Sequence, residues 1–542
     1  MMGETDRPQK RLTRSGSALA NAVEKLYEQG ETDYYLPPLV LVDEHQHPIG
    51  RIEDGDAVIF CCRRGEREYQ LTKTFVDPSF DEFPVKHFDQ LTFVTLTLYH
   101  EEFKHLPVAF RPTPPENTLG EILSKQGLKQ VRLAESEKFA HVTFFFNGGR
   151  NQPFPGEVDL KVPSFKDRLP TENPALNLPG VTRKLTEALS RGEYALAVVN
   201  FANGDIIGHL PDRKANIKCA EAIDKHLGIT LEAAKEAGYV TIITADHGLL
   251  ECFVKPNGKP SLSHTTNPVP FIIVPSTEER SSYQVREKGI LGDVAPTILE
   301  IMGIPQPPEM TGRSMLVRPP ETNTERVLLI ILDGWGLGPE DETNPIFLAD
   351  TPVMDRLWRA YPHAALEASG EAVGLKPGMK GNSEAGHMNI GAGRIVLQDE
   401  VRMDQAIKDG SFYTNEAFLK AINDAKSRGG ALHLLGLLSK KSSHGTMDYP
   451  LAILEIAKRE DLNDVYVHFI TDGRSTDPGS APALLREFEE KANEIGLGEI
   501  VTGVGRGYAL DRDRNYQKRT KVAYDALVFG EGYHVAAFSS DD

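Results

Sequence analysis

Residues Val240 to Gly248 read VTIITADHG, an apolar run that breaks at Ala245 into Asp246, His247 and Gly248. A short apolar run stopped by turn residues reads as a strand of a parallel sheet covered on both faces. Parallel strands need crossover connections, so such a run commits its part of the chain to an α/β architecture. In open sheets of that kind, ligands collect beyond the carboxyl ends of the strands. Asp and His side by side at that edge offer a hard oxygen and an imidazole nitrogen, a pair suited to a divalent metal. Taken alone, the stretch reads equally well as a helix cap followed by a surface histidine.

The pattern recurs. YALAVVN (194–200) is followed by Phe-Ala-Asn-Gly-Asp205 and then His209, and RVLLIIL (326–332) ends in Asp333-Gly-Trp-Gly. Asp205 and His209 are four apart and share a face on a helical turn. His264 precedes a further apolar run in SLSHTTNPVPFIIV. Three Asp and three His delivered to one kind of edge point to two cations, because one catalytic ion typically takes three or four protein ligands.

Composition narrows the partners. The 542 residues are 40% hydrophobic and 25% charged, enough for several soluble domains. No apolar stretch approaches the ~20 residues of a membrane helix. The opening MMGETDRPQKRLTRSGS has basic residues without an apolar core and with acids at Glu4 and Asp6, which reads as neither a secretory signal nor a transit peptide. Cys61, Cys62, Cys219 and Cys252 lack metal-ligand spacing and fit a reducing cytosol. A net charge of -18 argues against nucleic acid as a partner and requires a local basic cluster for any anionic substrate.

In chain order, residues 1 to about 14 read as disordered, and Ser17 to Gln29 as a helix ended by Gly30. Strands follow in LPPLVLV, RIEDGDAVIF and LTFVTLTLY. Between them Cys61 to Arg67 places Arg63, Arg64 and Arg67 in a solvated loop or an anion clamp. Asn117 to Gln126 reads as a helix, VTFFF (142–146) as helix or strand, and Lys138, on composition, as a surface lysine. Residues 178–304 alternate helix and strand, with a long helix over Ala215 to Ala237. A polar linker is expected at 316–325 and a glycine-rich, phosphate-cradling loop at 381–394, with Ser383 inside it. A second α/β set follows from Val401. ALHLLGLL and DVYVHFI end in Ser439 to His444 and in Thr471 to Asp477, and Arg506, Arg512 and Arg514 come next. The tail GYHVAAFSSDD reads as frayed.

DGWG at 333–336, GNSEAGHMNIGAGR at 381–394, VNFANGDIIGH at 199–209, ITADHG at 243–248 and HTTNPVPFI at 264–272 together resemble the cofactor-independent phosphoglycerate mutases, members of the alkaline-phosphatase-like metalloenzymes. AVIFCCRRGER, EKFAHVTFFFNGGR, DGR at 472–474 and YALDRDR extend the resemblance over nearly the whole chain. The order differs: in that family DGWG lies near the amino terminus and ADHG and MTGRS near the carboxyl end, so this sequence resembles a circular permutation. The fold expected is α/β: an alkaline-phosphatase-like, mostly parallel sheet with helices on both faces, plus a second α/β substrate domain. The resemblance implies a metal-binding domain at 118–400, its two segments joined by 316–325, and a substrate domain from 1–117 plus 401–542, with both chain ends leaving one domain.

By the same resemblance, one Mn-type site uses Asp205, His209 and His264, and the other Asp333, Ser383, Asp246 and His247; Mg, Co or Zn are alternatives to Mn. Ser383 is the nucleophile, and Lys138 neutralises the transferring phosphoryl group. His444, Arg474, Ser475, Arg506, Arg512, Arg64 and Arg67 hold the glycerate and its phosphate. The implied activity is interconversion of 3-phosphoglycerate and 2-phosphoglycerate through phosphoserine, by a cytoplasmic monomer with no nucleic-acid or membrane partner. Three departures stand out. The family's Asp after DGR is Ser475, a poor general base for which Asp477 is a conceivable substitute. SDGGVHSH reads SKKSSHGT, with Thr446 for the second His, and the Asn before the arginine clamp is Cys62. The alternatives are a metal-dependent phosphatase, a mutase for a related small phosphoester, or a non-enzymatic relic.

Overall fold

The computed structural model describes residues 14–254, 258–277, 283–320 and 323–537. The expectation for the first thirteen residues lies outside them, as do both chain ends. Among the described residues the strands are β1 (Leu39–Val42), β2 (Ala57–Cys61), β3 (Thr92–Thr97), β4 (Val108–Phe110), β5 (Gln130–Glu135), β6 (Glu157–Val162), β7 (Leu196–Phe201), β8 (Val240–Thr244), β9 (Val269–Val274), β10 (Lys288–Ile290), β11 (Val327–Leu332), β12 (His363–Glu367), β13 (Leu432–Leu438), β14 (Val465–Thr471), β15 (Glu499–Gly505) and β16 (Tyr533–Ala536). They form two eight-stranded sheets in two units, residues 113–401 and residues 1–112 with 402–542.

In the unit 113–401 the sheet order is β10-β12-β9-β8-β11-β7-β5-β6. The three apolar runs are neighbours: β11 pairs in parallel with β7 on one side and β8 on the other, Val327 facing both Leu196 and Val240. Every residue of β7, β8 and β11 is buried, as continuous Val, Ile and Leu demand of a strand covered on both faces. The helix Arg213–Glu236 crosses from β7 to β8, its start fixed by Asp212, whose carboxylate accepts the amide hydrogens of Lys214 and Ala215 at 3.0 Å each. Parallel alignment then puts the carboxyl ends of β7, β8 and β11 along one edge.

The other unit builds its sheet from both ends of the chain, in the order β16-β1-β15-β14-β13-β2-β3-β4. β15, β14, β13, β2, β3 and β4 run parallel, so the loops after β15, β14, β13 and β2 share an edge. The first helix, Ser15–Glu28, docks through Gly16, whose amide donates to Glu489 Oε1 at 2.7 Å.

Several expectations are corrected. The tail is not frayed over 533–536: these residues pair in parallel with β1, and only 538–542 lie outside the described residues. The expected linker at 316–325 begins inside the fold, because Leu316 is buried and bridges Val285, and the Thr324 amide donates to Ile301 O at 3.0 Å. The stretch 381–394 is not a loop but chiefly the helix Ser383–Ala392. VTFFF lies within a widened turn, Phe146 N bonding back to His141 O five residues earlier at 3.0 Å. RIEDGDAVIF contributes only Ala57–Phe60 to β2, since Asp54 and Gly55 form a turn. No helix among the described residues is long and apolar enough to cross a membrane.

A polar chain crosses the second sheet. His433 Nε2 lies 3.0 Å from Asp56 Oδ2, His433 Nδ1 lies 2.9 Å from His468 Nε2, and His468 Nδ1 lies 2.9 Å from Thr502 Oγ1. Burial, reinforced by His433, pushes His468 well below the usual histidine range. The unfolded chain therefore binds a proton below about pH 6.5 that the folded chain refuses, and stability is lost as pH falls through that value. We expect the urea midpoint to drop more steeply between about pH 6.5 and 5 in the native chain than in a His468→Gln variant. The limit is about 1.4 kcal/mol per pH unit, read by urea denaturation at a series of pH values.

Candidate metal centre

Each acid at the edge of the first sheet is placed by the end of its strand. Asp205 lies on the helix Asn203–Gly208 after β7, with His209 next to its end; Asp246 and His247 follow β8; Asp333 follows β11. Gly334 (φ 78°) makes the turn after Asp333 and lets its amide approach Asp246 Oδ1 at 3.3 Å. The helix Ser383–Ala392 brings Ser383 in as its first residue, with Asn382 Oδ1 accepting the Ala385 amide at 2.9 Å. A Cβ on Gly386 would stand 2.5 Å from Asp246 O, so glycine there lets the helix press against the Asp246 turn. The amino end of that helix favours negative charge at Ser383.

Lys138 is buried, against the expectation from composition. Its Nζ lies 2.7 Å from Ser383 Oγ, 2.9 Å from Asp333 Oδ1 and 2.7 Å from Asp205 Oδ2. Burial works against its charge, but Asp333, Asp205 and Asp246 outweigh it and raise the lysine above its ordinary value. His247 Nε2 lies 2.9 Å from Ser383 Oγ, 3.5 Å from Asp333 Oδ1 and 3.6 Å from Asp246 Oδ2. Its imidazolium also meets a burial penalty, which Asp246, Asp333 and Asp205 overcome, lifting it to about 9.

The second cluster is defined by what orients it. His264 Nδ1 lies 2.7 Å from Gly381 O, and His209 Nδ1 lies 2.9 Å from Leu262 O. A carbonyl only accepts, so both rings carry hydrogen on Nδ1 and turn Nε2 inward. The two Nε2 atoms come within 3.2 Å of each other, and Asp205 Oδ1 lies 3.0 Å from one and 3.2 Å from the other. Two imidazole nitrogens and a carboxylate oxygen converging this closely can serve as a cation's coordination set.

Donor atoms of Asp205, His247 and His264 lie within 4.8 Å of one another, and so do those of Asp246, Asp333 and His387. Asp246 Oδ2 is buried without a hydrogen bond. Three carboxylates crowd around Lys138 and the His247 imidazolium, and divalent cations could take the place of the imidazolium proton and satisfy the remaining carboxylate oxygens. The residues therefore fit a site for divalent metal, with Asp205, His247 and His264 close enough to share an ion and Asp246, Asp333 and His387 likewise.

Two further residues belong to this cluster. His387, one turn beyond Ser383, is fully buried, with Nδ1 2.9 Å from Ser383 O and 3.2 Å from Asp246 Oδ2. Asn200 Nδ2 lies 2.7 Å from Asp333 Oδ2 and 3.0 Å from His387 Nε2. The four-residue spacing from Ser383 on a helix was the signal for His387; Asn200, inside an apolar strand, had none.

The residues implied for substrate lie in the other unit, along its common strand edge. His444 follows β13, Arg474 and Ser475 follow β14, Arg506 follows β15, and Arg64 and Arg67 follow β2. Arg506 is buried and ion-paired to Asp472; Arg67 is buried and donates to Leu510 O at 3.1 Å. Arg64, Arg474 and Ser475 are exposed, and Arg512 is exposed beside Glu66 at 3.3 Å. Arg63 is a structural pin, donating to Ser443 O at 2.8 Å and Ser442 O at 2.6 Å and bonding the Tyr449 hydroxyl.

If charge imbalance is what these carboxylates share, divalent cations stabilise the folded chain by binding it alone. We expect Mn2+ to raise the melting temperature saturably and EDTA to reverse the gain. Asp246→Asn should lose most of it, as read by differential scanning fluorimetry.

The sequence family described as the metalloenzyme superfamily matches residues 16–306, and that described as the BPG-independent PGAM N-terminus matches residues 403–541. The chain is similar to 2,3-bisphosphoglycerate-independent phosphoglycerate mutases of Synechococcus sp. (strain JA-2-3B'a(2-13)), 44% identical over 56% of this chain and 56% of that protein, and of Methanosarcina acetivorans, 43% identical over 55% and 57%. It spans about half the length of the curated relatives it matches. A structure of Leishmania mexicana phosphoglycerate mutase at low cobalt concentration is 30% identical over 55% of this chain and 57% of that one, with a TM-score of 0.39. With more than half of its residues matched by the first of these families, and a buried Asp and His cluster at the edge of its parallel sheet, this chain belongs to the metalloenzyme superfamily.

Proposed function

We propose that the chain interconverts 3-phosphoglycerate and 2-phosphoglycerate through a phosphoserine on Ser383. The observation that carries this reading is the surroundings of one hydroxyl: Ser383 Oγ, on a helix amino end, lies 2.7 Å from Lys138 Nζ and 2.9 Å from His247 Nε2. A serine hydroxyl is a weak nucleophile until its charge is stabilised. Lys138 and the helix amino end stabilise the alkoxide and, afterwards, the phosphoryl oxygens. Divalent cations, most simply two Mn2+, would supply Lewis acidity to the same hydroxyl and to the phosphate. Asn200 and His387 hold Asp333 and the Ser383 backbone in place, so little reorganisation accompanies transfer. In the other unit, Arg506, Arg474, Arg512, Arg64 and Arg67 are positive groups of the kind that a phosphate ester bearing a carboxylate needs against a net charge of -18, and His444 stands at the same strand edge. Four free cysteines support a reducing compartment such as the cytoplasm.

We further propose that the segment order is a circular permutation. The family described as an N-terminus matches 403–541, after the metalloenzyme match at 16–306. Ser475 favours a second reading, hydrolysis of a small phosphoester in place of return transfer, because no carboxylate stands at that position. The full chain with Mn2+ and 3-phosphoglycerate, without bisphosphoglycerate, should form 2-phosphoglycerate; release of phosphate alone would select the hydrolase. Ser383→Ala should lower the rate by about a thousandfold or more, followed by coupled assay, and retained activity would remove Ser383 as nucleophile.

A further inference from the structure

This inference rests on the reading of the unit 113–401 as a metal centre and concerns what fixes the affinity of that centre. Its candidate ligands lie on segments next to different strands. Asp246 and His247 follow β8, Asp333 follows β11, and His264 precedes β9. Such segments lie outside the ladder of the sheet, so donor atoms spread over three of them need a further support to keep their spacing.

Glu251 stands where the three segments meet. It lies five residues after Asp246 and is fully buried. Its Oε1 accepts from the Thr265 hydroxyl and, at 2.9 Å, from Asn267 Nδ2; its Oε2 accepts from the Gly336 amide at 3.2 Å. Thr265 follows His264 directly, and Gly336 comes three residues after Asp333. One carboxylate thereby joins the segments that carry His264, Asp333, Asp246 and His247. Backbone bonds run between the same segments. Thr265 N donates to Gly248 O at 2.9 Å, and Leu249 N and Leu250 N donate to Gly334 O at 3.1 Å and 2.9 Å. Gly248 O also lies 3.4 Å from His247 Nδ1, so the turn that Glu251 closes bears on the ring of a candidate ligand.

Three glycines make room for this side chain. A Cβ on Gly248 would stand 2.5 Å from Glu251 Oε1, one on Gly336 2.5 Å from Oε2, and one on Gly338 2.7 Å from Glu251 O. The turns after β8 and β11 close on the carboxylate because neither carries a side chain at the contact. Glu251 is not itself placed as a ligand. Both of its oxygens face donors, and among the described residues it belongs to neither group of atoms close enough to share an ion. Its partners are a hydroxyl, a side-chain amide and a backbone amide. These bonds are directional, so the donors fix the carboxylate and the carboxylate fixes them.

We propose that Glu251 is a positioning residue for the metal centre. By clamping the turns after β8 and β11 to the segment ahead of β9, it sets the spacing of Asp246, His247, Asp333 and His264, and with it the affinity of the chain for divalent cations. Donors already held at one spacing bind an ion without first being gathered, and a group that never touches the ion governs that affinity through them.

The test is Mn2+ binding by the full chain, stripped with EDTA and dialysed, followed by isothermal titration calorimetry on the native protein and Glu251→Gln. Glutamine keeps the shape and one acceptor oxygen but turns N–H groups toward the Gly336 amide or toward Thr265 and Asn267. We expect the variant to bind Mn2+ about 10- to 100-fold more weakly, and the Mn2+-induced rise in melting temperature to shrink with it. A glutamate serving only the stability of the fold would lower the melting temperature equally with and without Mn2+ and leave the dissociation constant unchanged; that result overturns the proposal. Should Glu251→Gln fail to fold, the partly buried Thr265 decides. Thr265→Ser keeps the hydroxyl and is expected to bind Mn2+ as the native chain does, whereas Thr265→Val is expected to bind it about tenfold more weakly. Equal binding by these two overturns the clamp. A native chain that takes up no Mn2+ overturns the metal reading instead, an outcome distinct from a native chain that binds Mn2+ and variants that bind it equally well.

Discussion

Asp205, Asp246 and Asp333 are gathered around Lys138 and His247, and the first unit is arranged to hold them there. Carboxylates buried near one another repel, and each loses several kcal/mol of hydration that only close cationic partners restore. The fold supports the arrangement with rigid parts. Three neighbouring parallel strands fix the backbone positions, a tight glycine turn delivers an amide to Asp246, and a second glycine brings in the helix carrying Ser383. On the proposed reading, this concentration of charge is the source of the chemistry: a site that attracts cations would, once they are bound, also stabilise a serine alkoxide and a transferring phosphoryl group.

Orientation is set one layer out from the charged groups. Backbone carbonyls of Leu262 and Gly381 turn His209 and His264 so that their lone pairs meet, while Asn200 and His387 hold Asp333 and the turn of Ser383. The second unit repeats the logic with different chemistry. Its strand edge carries arginines and His444, and the buried groups behind them, Asp472 and Glu68, decide which way they face. In both units a parallel sheet delivers functional groups from distant segments to one edge, and partners that never touch a ligand settle their geometry.

Legibility followed the length scale of the signal. Buried parallel strands announce themselves as continuous apolar runs, and β7, β8 and β11 were readable as such, with the acids at their ends. VTFFF was ambiguous because five apolar residues fit either period, and the observed widened turn belongs to neither. The stretch 381–394 misled because glycine reads as looseness; here Gly386 and Gly391 serve close packing of a helix against Asp246 and Phe146. Lys138 looked like a surface lysine because composition carries no information about three acids drawn from elsewhere in the chain. The tail at 533–536 became a strand because β1 offered an unpaired edge, a long-range fact absent from its own residues.

The sequence alone determined the class of architecture, the identity of the acids and imidazoles that end the strands, and the family to which they belong, because hydrophobic periodicity and motif spacing are local properties of the chain. Tertiary structure decided that β11 sits between β7 and β8, that Lys138 is buried among carboxylates, that His387 and Asn200 join them, and that Glu68 stands against His444. Each of those is a contact between residues far apart in the chain, and such contacts depend on strand order and packing, which no local pattern encodes.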